Sequence, residues 1–478
     1  MEKIFQLKAN GTTVKTELLA GLTTFMTMAY IIALNPNLLT DFGAEGTELW
    51  NGVFMATCIA SAVGMFCMAF IANKPFALAP GMGLNSFFAV VVGNIVTMTG
   101  MSYVESFQSA LIIILTEGIV FIVLSFFNVR EKIVESIPLG IRLGISPAIG
   151  LMLMNIGLGS NVSIYAAGNN FETPFFVMRD FFGALTPGVL QTAMGEAGYA
   201  TMILSTITMF VGLFVIIAMD KKGVKGAVLI GMLVASVVYW AGSFLFLNTN
   251  PFASLATASF LPPVKDMVDT TLFKFNFAGF MEIGWFTIIT LVITFCIIDM
   301  FDTIGTLVGT ASRAGMVDEN GNMPNMKEAL LSDAVGTIAG ACTGTSTVTT
   351  FVESASGVEA GGRTGLTALA TGVLFLACIF IAPIAAIIPA AATSSALIYV
   401  GVLMLQGLSK VDFKDMDQMV PVFLMLLAMP VSGSIGHGIG LGLIAYTIIK
   451  IFSGKFKEVS ILTYVISALF IVKFFLVV

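Results

Sequence analysis

Stretches of about twenty apolar residues recur from residue 18 to the end of this 478-residue chain, and no other feature constrains the fold as much. A helix needs roughly 20 such residues to cross the hydrocarbon of a bilayer, and backbone at that depth must satisfy its own hydrogen bonds. Spans are placed near 18–38, 52–72, 76–98, 107–127, 139–158, 200–219 and 224–247. A second set follows near 284–308, 328–342, 346–360, 365–388, 392–407, 418–432 and 437–453. Only 10% of the residues are charged, where a soluble domain carries roughly 25%. No polar block is large enough to fold by itself. The chain therefore reads as an all-α polytopic membrane protein with 14 spans.

Charge sets the orientation. With the N-terminus placed in the cytoplasm, 18 of the 22 Lys and Arg residues fall in inner segments, three (Arg179, Lys265 and Lys274) in outer ones, and Lys473 stands apart. Cytoplasmic loops carry such an excess, so a multi-pass protein of the cell (plasma) membrane with its N-terminus inside is expected. The opening "MEKIFQLKANGTTVKTE" has no small-residue cleavage site after the first apolar stretch and is expected to stay as a cytoplasmic tail. Lys473 lies in "ILTYVISALFIVKFF", residues 461–475, which is apolar enough for a further span; a helix at the cytoplasmic interface is the preferred placement.

Several function classes drop out. Cys58, Cys67, Cys296, Cys342 and Cys378 sit in apolar segments without CxxC spacing, which indicates neither a disulfide framework nor a zinc site. A single histidine, His437, and the lack of HExxH, Gly-x-Ser-x-Gly or nucleotide-loop motifs argue against a metal site, a cofactor and an enzyme. A net charge of −6 offers no basic surface to nucleic acid.

The two halves of the chain resemble each other. "IPLGIRLGISPAIGLMLMN" (137–155) aligns with "IPAAATSSALIYVGVLMLQ" (388–406) at an offset of 251, pairing Pro138 with Pro389, Gly150 with Gly401 and Asn155 with Gln406. "MGLNSFFA" (82–89) meets "TFVESASG" (350–357) at 268, which sets Asn85 opposite Glu353, and "TTFMTMAYII" (23–32) meets "ITFCIIDMFD" (293–302) at 270. Their common order and slowly drifting offsets indicate duplication. Seven spans per copy is an odd number, so the second copy enters from the opposite side and the repeats are inverted. The organisation is then a tail 1–17, a first repeat 18–247, an extracellular connector 248–283, a second repeat 284–453 and a hydrophobic C-terminal segment 454–478, interfacial or an extra span.

Spans three and ten both begin with a strand-capable half, "PFALAPGMGL" and "TSTVTTFV", followed by a Gly-rich helical half. Interrupted spans at matching positions point to a binding site, because unwound backbone exposes donors and acceptors and half-helix N-termini carry partial positive charge. Ionisable residues at such depth each need a reason. Glu117, Asp299, Asp302, Asp333, Glu353 and Glu359 lie there, and no Lys or Arg shares the depth of the central four, so protonation is the expected alternative to pairing. Asp302 and Glu353, flanked by small or hydroxylated residues in "FDTIGT" and "VESASG", leave room for a solute and are the candidate ligands and proton carriers. Asp299, three residues before Asp302, either supports its neighbour or joins the proton path. Glu117 and Asp333 read as packing or gating residues, and Glu359 is expected to pair with Arg363, four residues on. Asn85, the mirror of Glu353, offers a ligand both a donor and an acceptor, and Phe351 could stack a flat ring.

"APGMGLNSFFA", "DMFDTIGTLVG" and "GTSTVTTFVESASGVEAGGRTGL", in this order and spacing, resemble the Azg-like purine permeases of the nucleobase cation symporter-2 grouping, and the similarity runs from "AGLTTFMTMAYI" onwards. The resemblance implies a seven-plus-seven inverted fold split into core and gate domains, with short strands in spans three and ten. It implies proton-coupled uptake, a symport, of hypoxanthine, guanine or adenine. It also implies that Asp302 in "FDTIG" and Glu353 in "TTFVES" are the site carboxylates and that Asn85 is the asparagine of the "GLN" segment. Thr306 stands where some relatives outside this branch carry His, so no histidine route for the proton is implied here.

The expected function is thus a proton-coupled secondary transporter importing a purine nucleobase by movement of the core, with base, proton and membrane lipid as partners. A homodimer is compatible with such a fold. An anion carrier of the same fold would present Arg, Lys or bare helix N-termini, and Asp302 and Glu353 oppose it. A pyrimidine or xanthine permease stays open, because the geometry that reads the base is not written in the sequence.

Overall fold

The computed structural model describes residues 2–41, 46–126, 137–159, 190–313 and 323–476, together with residue 316 and a few positions between 162 and 185. Two of the expected inner cations, Arg130 and Lys132, lie outside the described residues. The principal elements of the first half are α1 (Val14–Met28), α2 (Ile31–Leu39), α3 (Thr47–Cys67), β1 (Leu78–Pro80), α4 (Met82–Thr99), α5 (Tyr103–Phe126), α6 (Leu139–Gly159), α7 (Leu190–Lys221) and α8 (Ala227–Phe246). After two short helices, α9 (Val264–Thr270) and α10 (Phe277–Glu282), come α11 (Trp285–Arg313), α12 (Met326–Thr343), β2 (Val348–Thr350) and α13 (Ser354–Glu359). The chain closes with α14 (Gly365–Ala377), α15 (Ala390–Met404), α16 (Met416–Ser432), α17 (Ile435–Phe452) and α18 (Ile461–Leu476).

Among the described residues, 11 helices are long and apolar enough to cross a membrane. The other three expected spans depart from that pattern for visible reasons. Helix α12 has 18 residues but carries Lys327, Glu328 and Asp333, α16 has 17 residues with Pro421 and Pro430 inside it, and the segment 346–360 is a strand followed by a six-residue helix. The helices sort into two groups. One holds α1 to α5, both strands and α9 to α14; the other holds α6 to α8 and α15 to α18, and most packing lies within each group.

The halves form an inverted repeat, visible where equivalent segments meet. β1 pairs antiparallel with β2, in the register Leu78 to Thr350, Ala79 to Thr349 and Pro80 to Val348. Gly150 and Gly401 cross at the contact of α6 with α15, and a Cβ built on either would sit 2.5 Å from the other's carbonyl oxygen. Each contact relates position i of one copy to position j of the other and j to i, as a two-fold relation demands. A side chain at either glycine would push the helices apart.

The connector is held down. Asn51 Nδ2 donates to Asp266 Oδ2 at 2.6 Å, Gln108 Nε2 donates to the carbonyl of Thr270 at 2.9 Å, and the Phe273 N–H reaches the Cys342 carbonyl at 2.8 Å. These bonds tie α9 and the turn after it to α3, α5 and α12. The C-terminal segment packs back onto the preceding helix. Ser467 bonds to Thr447 across hydroxyls 3.0 Å apart, and the Phe474 ring meets His437 at 5.6 Å. Helix α18 therefore runs back along α17 instead of lying across its end.

One buried acid was not anticipated. Glu17 in α1 has no exposed surface. It accepts from the N–H groups of Arg363 (2.9 Å) and Thr364 (3.3 Å) and from the Thr367 hydroxyl (2.6 Å). These donors belong to the start of α14, where unpaired N–H groups and the helix dipole favour a carboxylate. Glu17 is a fastener between α1 and α14.

Candidate functional site

Six consecutive residues of the interrupted span, Thr345 to Thr350, each engage a different neighbour. Thr345 accepts from Asn35 Nδ2 of α2 at 2.9 Å, and the Ser346 hydroxyl donates to Asn85 Oδ1 of α4 in a short bond. Thr347 donates to Glu117 Oε2 of α5 at 2.7 Å, and the Val348 carbonyl accepts from Thr337 of α12 at 3.2 Å. Thr349 donates to Asp302 Oδ2 of α11 at 3.4 Å, and the Thr350 N–H donates to Asp333 Oδ1 of α12 at 3.0 Å. A non-helical backbone at this depth is stable only when its polar groups find partners inside the protein. The hydroxyl-rich, β-branched run supplies that, and it fixes the strand against five helices at once.

The two strongest sequence candidates stand on either side of this strand. Asp302 reaches it through Thr349, and close approach is allowed by Gly81, where a Cβ would lie 2.8 Å from the Thr349 hydroxyl and 3.5 Å from Asp302 Oδ2. Glu353 caps the start of α13 in sequence, yet its side chain makes no capping bond. Instead Glu353 Oε1 accepts the hydroxyl of Tyr30 at 2.7 Å. Asp299, Asp333 and Glu117 are fully buried, whereas Asp302 and Glu353 keep partial exposure. Val352, beside Glu353, is 56% exposed. Of these five acids, Asp302 and Glu353 are thus the two that are not fully buried.

Behind them lies a buried relay. The Thr303 hydroxyl is 2.9 Å from Asp299 Oδ1 and 2.9 Å from Asp333 Oδ2. A hydroxyl donates one proton and can also accept, so a proton held by either acid lets Thr303 bridge the two as donor and acceptor.

Asn85, Phe351 and Glu359 make contacts that the sequence did not indicate. Asn85 is fully buried; its Nδ2 donates to the Pro80 carbonyl at 3.1 Å and its Oδ1 takes the Ser346 hydroxyl. The amide thereby clips the start of α4 to β1 before it and to the segment leading into β2. Phe351 is 6% exposed and packs into the apolar core, while its N–H continues the strand to the Ala77 carbonyl at 2.9 Å. Glu359 pairs with Lys225 at 2.9 Å, not with Arg363, whose guanidinium donates to the carbonyls of Val358 and Gly362.

Tyr30 and Thr303 were missed by the sequence reading. The signal for Tyr30 was a phenol in the middle of the first apolar segment, in the very stretch that aligns with 293–302. Thr303 follows Asp302 directly, and nothing in a helical text tells a bridging threonine from one that bonds its own backbone.

An inverted-repeat membrane protein whose two interrupted spans pair through short strands, with partly exposed carboxylates beside the pair, has the build of a secondary transporter. The chain belongs to the permease family Xan_ur_permease, which matches residues 15–432. It is a transporter, not an enzyme. It is 36% identical over 473 residues to the adenine permease AdeP of Escherichia coli (strain K12), covering 99% of this chain and 95% of that one. It is 37% identical over 477 residues to the guanine/hypoxanthine permease PbuO of Bacillus subtilis (strain 168), covering 99% and 100%. Among solved structures, the transmembrane domain of a cyanobacterium bicarbonate transporter, BicA, superposes with a TM-score of 0.60 over 88% of this chain and 97% of that chain, at 14% identity. At that identity the likeness is one of fold.

Proposed function

We propose that this chain is a proton-coupled importer of purine nucleobases of the cell membrane, with its N-terminus in the cytoplasm. The observation that carries the reading is the pair Asp302 and Glu353: partly exposed, set beside the strand pair, and, among the described residues, without an ion-pair partner. Purine bases present N–H groups along one edge and are neutral, so acceptor carboxylates suit them and repel inorganic anions. The names of the relatives in Escherichia coli and Bacillus subtilis support adenine, guanine or hypoxanthine as the cargo.

Proton coupling is supported by the relay. The Thr303 hydroxyl joins Asp299 to Asp333, and a proton held by either acid lets it bridge the two as donor and acceptor. The division of the helices into two groups supports a mechanism in which the group bearing both strands moves against the other and opens the site to either side in turn.

Uptake of radiolabelled hypoxanthine, guanine, adenine, xanthine and uracil into cells lacking their own carriers tests the reading. Purines should accumulate, and a protonophore should abolish accumulation while leaving exchange of internal for external base. Accumulation that needs sodium and ignores the protonophore, or a signal with bicarbonate or sulfate alone, would overturn it.

A further inference from the structure

The two repeats do not meet the second group of helices in the same way. At the start of α4, in the strand-bearing group, Gly83 lies against Ile149 of α6, in the other group. A Cβ built on Gly83 would sit 2.9 Å from Ile149 Cγ2 and 3.9 Å from its Cβ, and both residues are buried. The repeat alignment sets α13 opposite α4 and α15 opposite α6. Yet α13 packs on α1 and α11 and, among the described residues, makes no comparable contact with α15.

The difference reaches the site. Leu84 and Asn85, which follow Gly83, have no exposed surface, whereas their counterparts at an offset of 268, Val352 and Glu353, are exposed and partly exposed. The two groups also touch on the side of α13, but at its far end, through the exposed ion pair of Glu359 with Lys225 at 2.9 Å. That pair lies about 9 Å of helix beyond Glu353 and leaves Val352 uncovered.

An inverted repeat can depart from its two-fold relation in two ways, with the roles of the copies exchanged. The packing seen here is one of them: closed behind Gly83, not closed beside Glu353. We propose that Gly83 and Ile149 form a seal that parts as the transport cycle turns, which uncovers Leu84 while Val352 is covered in its place. The inference rests on movement of the strand-bearing group against the other, as proposed above. Only apolar packing joins Gly83 to Ile149, and a gap of about 1 Å forfeits up to half of such attraction. A glycine also presents no side chain for Ile149 to interlock with, so the two surfaces can separate cleanly.

The test is a reversible tie. The Cβ separation of 3.9 Å lies within the roughly 3.5–4.5 Å of a disulfide, so Gly83→Cys with Ile149→Cys in the full-length protein should cross-link when copper phenanthroline oxidises the two thiols. The smaller side chain at 149 makes room for the one added at 83. Uptake of radiolabelled hypoxanthine should fall in proportion to the fraction cross-linked and return with dithiothreitol. Undiminished uptake by the cross-linked protein overturns the inference. A second measurement does not depend on that pair. Leu84→Cys should react slowly with a small thiol reagent, and adding Ile149→Ala should raise the rate by about 5-fold or more, because packing made only in the closed state is lost. Val352→Cys should show no such rise. A rate at Leu84→Cys that Ile149→Ala leaves unchanged, or a rise common to both positions, which marks general loosening, overturns the inference as well. Absence of purine uptake by the wild type would strike the proposed function itself, and is separable from continued uptake by a cross-linked protein.

Discussion

Gly150 and Gly401, equivalent positions of the two repeats, face each other so closely that a Cβ on either would lie 2.5 Å from the other's carbonyl oxygen. The neighbouring side chain of Met404 leaves no slack on one side, at 3.0 Å, nor does Met154 on the other, at 2.8 Å. Small residues at such crossings are what let membrane helices approach. Gly150→Ala and Gly401→Ala should each destabilise the protein by about 1 to 3 kcal/mol, the usual cost of overpacking. The double variant should cost less than the sum, because one separation of α6 from α15 makes room for both methyl groups. Thermal unfolding followed in detergent reads both quantities, and a melting temperature unchanged in either single variant contradicts the close approach.

Asp302→Asn and Glu353→Gln are expected to cripple uptake in different ways. Each amide keeps the shape but loses the charge, so the acid that carries the proton should still bind and exchange base when replaced, while losing accumulation. The acid that chiefly grips the base should lose affinity by about 1.5 to 3 kcal/mol, the worth of one hydrogen bond to a charged group. Equilibrium binding and counterflow exchange, measured side by side, separate the two roles. Normal transport by both variants would show that the site lies elsewhere.

Much of this was legible because membrane depth makes polarity expensive. Apolar length located the helices, and the cost of an acid in hydrocarbon marked Asp302 and Glu353 as residues needing a reason. Pro and Thr runs marked the two broken spans. What stayed hidden depends on side-chain direction across long sequence separations. Asn85 aligned with Glu353 as its mirror, yet a mirror position fixes only the backbone, and the amide turns inward to Ser346 and Pro80. The pairing of Glu359 with Arg363 assumed one more helical turn. In fact α13 stops at Glu359 and Gly361, at a φ of 103°, turns the chain away, which leaves Glu359 to Lys225 from the start of α8. Glu17 escaped notice because a carboxylate near a span end looks like an ordinary interfacial charge.

Thr303 offers a direct probe of the buried relay. Thr303→Val keeps the volume and removes the hydroxyl, which separates Asp299 from Asp333 and leaves carboxyl oxygens without their shared partner. Thr303→Ser restores the bridge. Accumulation of base against its gradient should therefore collapse in the Val variant and persist in the Ser variant, while exchange survives in both. Equal accumulation by wild type and the Val variant would remove the relay from the mechanism.

The last prediction concerns which residues share an energy with Asn85. The Asn85 amide oxygen and the Ser346 hydroxyl form one bond, so removing either partner removes it and removing both costs little more. Contact partners typically show coupling of about 0.5 to 3 kcal/mol, whereas distant, independent sites add within about 0.3 to 0.5 kcal/mol. In a double-mutant cycle on unfolding stability, Asn85→Ala with Ser346→Ala should fall in the coupled range. Asn85→Ala with Glu353→Ala should add, because Glu353 bonds to Tyr30 and shares no partner with Asn85. The same contrast should appear in labelling. A cysteine at Val352, 56% exposed beside Glu353, should react with a small thiol reagent and be protected by saturating purine. One at Asn85, which has no exposed surface, should react slowly with or without the base. Strong coupling between Asn85 and Glu353, together with purine protection at Asn85, would place the amide in the ligand's path and return it to the binding site.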